Sequence, residues 1–74
     1  MSIPTVDMAD TGRNIQAMRK AAGISVASMQ QVFGFSTPQA IFKWQRGDAL
    51  PTIDNIVVLA SVFGVKVDDI LAVA

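Results

Sequence analysis

Apolar residues recur at helical spacing along most of the chain, and four of the five recurrences lie between a capping residue and a glycine. Ile15 and Met18 predict a first helix starting near Asp7 or Thr11 and running to Ala22, with Gly23 as its stop. Ser25 caps a second helix over about 25–34, with Met29, Val32 and Phe33 facing inward and Gly34 at its end. A third spans about 37–46: Thr37 caps it, Pro38 suits the first helical position, Ile41 and Trp44 share one face, and Gly47 ends it. After the turn Asp48-Ala49-Leu50-Pro51, Thr52 caps a fourth helix that buries Ile56, Leu59, Ala60 and Phe63 before Gly64. A short last helix, Val67 to about Ala72, carries Asp68 and Asp69 in its first turn, where the helix dipole favours negative charge. Val65-Lys66-Val67 is the one strand candidate and is too short. The pattern predicts an all-α fold of five helices, with residues 1–10 as lead-in and 11–74 as one domain.

Composition sets the limits of what such a domain can do. At 74 residues the core is small, yet 51% of residues are hydrophobic, so part of the apolar surplus is expected on the surface. There is no cysteine, which removes disulfides and thiolate metal sites and suits a reducing compartment. The start, Met-Ser-Ile-Pro-Thr-Val-Asp, has no basic region followed by an apolar run, and no apolar stretch approaches the roughly 20 residues of a membrane helix. The expectation is a soluble cytoplasmic chain. With no His, Cys or Tyr, general bases and nucleophiles reduce to aspartate, serine and lysine. Asp68 and Asp69 adjoin but point in different directions on a helix, so neither catalysis nor a metal or other cofactor is expected.

The formal net charge is zero, but it is unevenly distributed. From Thr11 to Gly47 the charged residues are Arg13, Arg19, Lys20, Lys43 and Arg46, all basic; outside that span Lys66 stands against six aspartates. A dipolar domain of this kind can present a positive surface to a polyanion while staying neutral overall, although five charges also fit ordinary scatter on helix surfaces. The 37–46 helix gives the asymmetry a focus. Its outward side carries Gln39, Lys43 and Arg46, which can hydrogen-bond base edges or pair with phosphate, making it a candidate recognition helix.

Several blocks in order then resemble a known family: Gly34, the Ile41/Trp44/Gly47 set, Pro51, Leu59-Ala60 and Asp69-Ile70-Leu71. The segment from about 11 to 72 resembles the helix-turn-helix family of phage repressors and Cro, often called the XRE family. Val-Asp-Met, Thr-Gly-Arg-Asn-Ile and the Phe33–Gly47 block look like a subgroup associated with low-GC Gram-positive bacteria. The resemblance implies a bacterial sequence-specific transcriptional regulator or its DNA-binding part. The chain also departs from the family pattern. Six residues, Phe35 to Ala40, stand between the turn glycine and the inward Ile41 where five are usual, so Phe35 or Ser36 is an insertion in the turn. Val26 replaces a Gln that touches phosphate, and Gln30 replaces a small Ala where helix 2 crosses the recognition helix. Arg19 and Gln45 occupy the places of an Arg–Glu pair, so a neutral hydrogen bond replaces an ion pair and leaves Arg19 a candidate for phosphate.

Carried over by position, the resemblance places Thr37, Pro38, Gln39, Ala40 and Lys43 nearest the bases. Pro38 has no donor and offers only apolar contact, for example to a thymine methyl; Gln39 matches adenine N6 and N7, and Lys43 matches guanine O6 or N7. Arg46 either favours its own helix C-terminus or touches phosphate. Ser25 and the first amides of helix 2 form an anion site suited to a backbone phosphate. Arg13 and Lys20 belong either to a solvated face or to phosphate contacts. Phe42 looks outward and has two destinations, the long turn beside Phe35 or DNA sugar and methyl groups. Trp44 reads as core, with phosphate an alternative partner for its indole N–H.

Apolar residues in excess of the core stripe point to self-association. Val57, Val58 and Val62 cannot all face inward with Ile56, Leu59 and Phe63, and Leu71 and Val73 extend the greasy area. Members of the resembled family commonly dimerise so that two recognition helices meet successive major grooves about 34 Å apart on a palindrome. A homodimer through helix 4 and the C-terminal segment, on a palindromic operator, is therefore expected; in the alternative, these valines enlarge a small core. The rival function is a protein-interaction module, such as an antitoxin that also represses its own operon.

Overall fold

Asp7 opens the first helix, its carboxylate accepting from Asp10 N at 2.9 Å. Ser25 and Thr52 cap in the same way, accepting from Ser28 N at 3.0 Å and Asn55 N at 3.3 Å. These caps set the element bounds in a computed structural model that describes residues 3–74: α1 (Met8–Ala21), α2 (Val26–Phe33), α3 (Gln39–Arg46), α4 (Ile53–Phe63) and α5 (Val67–Ile70). The five-helix, all-α expectation holds for these residues. Residues 1 and 2 of the lead-in lie outside them, while Met8 to Asp10 already belong to α1.

Ile15, Met29, Ile41, Trp44, Leu59, Ala60 and Ile70 form one buried cluster, to which all five helices contribute. Ile56 is buried as well, Met18, Phe33 and Phe63 are partly buried, and Val32, expected to face inward, is exposed. Its place on an eight-residue helix explains the difference: Met29 and Phe33, four apart, supply the inward ridge, and Val32 falls off it. Phe33, Phe35 and Trp44 make a local aromatic triad. Phe33 stacks on Phe35 at 5.2 Å between ring centroids, and both meet Trp44 edge-on, at 5.3 and 5.8 Å.

The tightest helix crossing is between α1 and α3. A Cβ at Gly12 would overlap the Trp44 carbonyl oxygen and lie 2.7 Å from that of Gln45. At the other side of the crossing, Gly47 combines φ of +78° with a position at which a Cβ would lie 2.8 Å from Ala9 Cα. The two backbones touch because these positions carry no side chain.

The chain ends are also joined. Instead of continuing to Ala72, α5 stops at Ile70, and Leu71 turns extended with ψ of 126°. The reason lies in α1: Asn14 Nδ2 donates to the Ile70 carbonyl at 3.0 Å, and the fully buried Thr11 Oγ1 accepts from Ala72 N at 3.0 Å. Asp7 N then donates to Ala72 O and Ala74 N to Thr5 O, each at 2.8 Å, placing Val6 against Val73 in an isolated antiparallel bridge. A helical ending would leave the Thr11 oxygen and the Asn14 amide without these partners.

Gly12→Ala should destabilise the domain by about 1–3 kcal/mol through overpacking against unyielding backbone, read as a lowered midpoint in urea or thermal unfolding; an unchanged midpoint would show that the crossing can open at no cost. Thr11→Val, nearly the same in shape, should leave the Ala72 N–H unpartnered at a cost of about 1–3 kcal/mol. It should also accelerate hydrogen exchange at Ala72 and Ala74 more than at Leu59.

Candidate nucleic-acid interface

The candidate site is built by α2, the turn after it and α3. Gly34 takes a left-handed conformation, and Phe35 N closes the end of α2 by donating to Gln30 O at 3.0 Å. The Gln30 side chain spans the same turn in the other direction, its Nε2 donating to the Phe35 carbonyl at 3.1 Å. Five residues, Gly34 to Pro38, therefore separate the two helices, with Phe35 tucked against Phe33 and Trp44.

The start of α3 differs from expectation by one residue. Pro38, not Thr37, is the flanking residue: its carbonyl accepts the first helical bond from Phe42 N at 3.2 Å, and Gln39 is the first helical residue. The Thr37 hydroxyl remains near, accepting weakly from Gln39 N at 3.5 Å. Along α3, Ile41 and Trp44 are buried, and Ala40 and Gln45 are half-buried. Gln39, Phe42, Lys43 and Arg46 are exposed. Of the five positions that the resemblance placed nearest the bases, Thr37, Gln39 and Lys43 are thus open to solvent, Pro38 is half-buried, and Ala40 packs against the core.

The basic residues separate into distinct environments. Arg19 is half-buried and spends donors inside the protein, Nε to Gln45 Oε1 at 2.9 Å and a terminal nitrogen to Ile24 O at 3.0 Å. The Arg19–Gln45 hydrogen bond expected from the sequence in place of an ion pair is present, and through it Arg19 joins α1 to α3. Arg46 pairs with Asp48 at 2.9 Å, and Arg13 pairs with Asp10. Both pairs are well exposed, so they are screened and contribute little to stability. Lys43 and Lys20 are exposed and take part in no salt bridge among the described residues. The Ser25 hydroxyl is engaged at its own helix start, donating to Ser28 Oγ at 3.0 Å while it accepts from Ser28 N.

The residues expected at a self-association surface lie on α4 and the C-terminal segment. Val57, Val58 and Val73 are exposed, at 54%, 37% and 63%, whereas Val62 and Leu71 are half-buried. Ile53, at 79%, is more exposed than any of them and precedes Val57 by one helical turn. Sequence reasoning missed the role of Gln30 in the turn and the restraint of Arg46 by Asp48. The first had a signal, a long polar residue beside an extra turn residue; the second was visible as a carboxylate two residues after an arginine.

No helix among the described residues is long and apolar enough to cross a membrane. The fold is similar to the DNA-binding domain of BldD, with a TM-score of 0.74 and 22% identity over 89% of this chain and 94% of that one. The BldD DNA-binding domain of S. venezulae gives 0.73 and 22%, over 89% and 97%. The restriction-modification controller protein C.AhdI from Aeromonas hydrophila gives 0.75 and 20%, over 86% and 96%. No curated protein matches the chain in sequence. The family model HTH_3, described as helix-turn-helix, matches residues 15–70, a span that takes in all of α2, the turn and α3. The chain belongs to this helix-turn-helix family.

Proposed function

We propose that the chain is a sequence-specific transcriptional regulator of the repressor type, which binds double-stranded DNA as a homodimer and places α3 in the major groove. The observation that carries this reading is α3 itself. One face is locked into the core by Ile41 and Trp44, and the other presents Gln39, Lys43 and Arg46 to solvent with no carboxylate within the helix. A short amphipathic helix held rigidly at its back and carrying amide, ammonium and guanidinium groups at its front matches the donor and acceptor pattern of base edges and phosphates. Membership of the helix-turn-helix family supports DNA as the partner. The described relatives point the same way, since BldD contributes a DNA-binding domain and C.AhdI is a restriction-modification controller.

In this docking Gln39 reads adenine and Lys43 guanine, while Thr37 and Pro38 border the bases at the N-terminal end of the helix. Ala40, half-buried, allows close approach. Ser25 and the start of α2 face one backbone phosphate, and Arg46 faces another after exchanging its Asp48 partner for it. Arg19 acts at one remove: through Gln45 it fixes the angle of α3 against α1. The dimer forms through the exposed Val57 and Val58 of α4, with Val62, Leu71 and Val73 at its margin, and so reads a palindrome. Occupying such an operator blocks polymerase.

Selection of bound sequences from a random duplex pool at near-physiological salt should enrich a palindrome with half-sites about one helical turn apart; no enrichment would overturn the reading. On the enriched operator, Gln39→Ala should reduce discrimination at one base pair by about 1–3 kcal/mol. Lys43→Ala should weaken binding, with a salt slope reduced by about 1 where the ammonium meets phosphate. Asp48→Asn tests the competition for Arg46. It should tighten binding at low salt and steepen the dependence of log K on log salt by up to about 0.9, whereas unchanged affinity and slope would remove Arg46 from the phosphate contacts.

A further inference from the structure

Phe42 is the one large apolar side chain on the outward arc of α3. At about 100° per residue, Phe42, Arg46, Gln39 and Lys43 fall within a single arc of about 100°, and all four are exposed. Core packing does not account for Phe42. The aromatic triad of Phe33, Phe35 and Trp44 is complete without it, and the long turn is filled by Phe35 and bridged by Gln30. Phe42 remains 38% exposed on a helix whose other apolar residues are buried or half-buried.

Resting on the DNA-binding reading, we propose that Phe42 is a specificity-determining residue that packs on the 5-methyl group of a thymine in the major groove. The chemistry of its neighbours selects this occupant. A protein partner covering Phe42 with an apolar face would also take Gln39, Lys43 and Arg46 out of water without partners, which is costly for the amide and far more so for the cations. The major groove supplies phosphates and base-edge acceptors for those three groups, and thymine methyl is the apolar group that it displays. Gln39 lies one helical turn before Phe42, so the two side chains address adjoining positions. A Gln39 contact to adenine beside a Phe42 contact to thymine makes this part of each half-site rich in A·T pairs.

The test replaces each thymine of the selected operator in turn by deoxyuridine, which removes only the methyl group, and measures affinity for wild type, Phe42→Leu and Phe42→Ala. One thymine per half-site should be methyl-sensitive for the wild type, by about 3- to 10-fold. Phe42→Ala should lose affinity on the thymine operator by a similar factor and bind both operators alike, with Phe42→Leu intermediate. Thermal unfolding of the variants should match the wild type. Equal sensitivity to uracil in wild type and Phe42→Ala, or sensitivity at no position, would overturn the assignment while leaving the DNA-binding reading intact. A large loss of stability in both variants would return Phe42 to the core. Selection of no sequence by the wild type would overturn both readings.

Discussion

The backbone of α1 rests directly on that of α3, and the geometry of the outward face depends on that contact. Gly12 lies against the carbonyls of Trp44 and Gln45, and Gly47 lies against Ala9. With no side chain between them, the two helices have little freedom to slide or rotate, because any shift drives backbone into backbone or opens a void in a small core. Ile41 and Trp44 are then carried inward as a consequence, and the opposite arc of α3 projects away from the domain at a fixed angle. A helix of eight residues such as α3 has too few internal hydrogen bonds to stand alone. Its rigidity is that of the helix it leans on.

The polar side of α1 extends this role. Thr11 and Asn14 hold the extended C-terminal segment, and Arg19 reaches both the corner after α1 and Gln45 on α3. One helix therefore organises three separate segments through side chains that do not resemble core residues. The arrangement also revises the electrostatics. The excess of positive charge between Thr11 and Gly47 is real in composition, but Asp10 and Asp48, just outside that span, pair with Arg13 and Arg46, and Arg19 is turned inward. Within that span, Lys43 and Lys20 are the basic residues without a carboxylate or internal partner among the described residues, so the positive charge is more local than the charge count implies.

The number, order and type of helices were legible because the first four are written twice, in apolar spacing and in their boundary residues. Ser25 and Thr52 open their helices, and the glycines at 34, 47 and 64 close theirs, where they were expected to. The errors fall where long-range partners override local pattern. Leu71 and Ala72 carry no turn signal, and they leave the helix because Asn14 and Thr11, far away in sequence, take the Ile70 carbonyl and the Ala72 N–H. Val32 was misplaced because it follows Met29 at helical spacing, yet Phe33, four residues after Met29, takes the inward place. Gln39, Lys43 and Arg46 were legible as an exposed set because one helical face contained them. The partners of Arg19 and Arg46 were less so, since a guanidinium reaches carbonyls, amides or carboxylates equally well and only the fold decides which is near.

Two departures from the pattern of the resembled family, an extra turn residue and a glutamine where a small residue is usual, behave as one change. In the turn between α2 and α3 the Phe35 carbonyl takes its donor from a side chain and not from a backbone N–H. A partly buried carbonyl without a donor is unfavourable. Gln30 supplies the donor from within α2, and Phe35 fills the adjoining space against Phe33 and Trp44. The turn thus gains an internal hydrogen bond and an apolar plug together, and the first helical bond of α3 is made to Pro38, delaying the helix by one residue. The delay leaves the glutamine, lysine and arginine on the outward arc while moving Thr37 into the turn, so the exposed polar groups carried by α3 itself begin at Gln39.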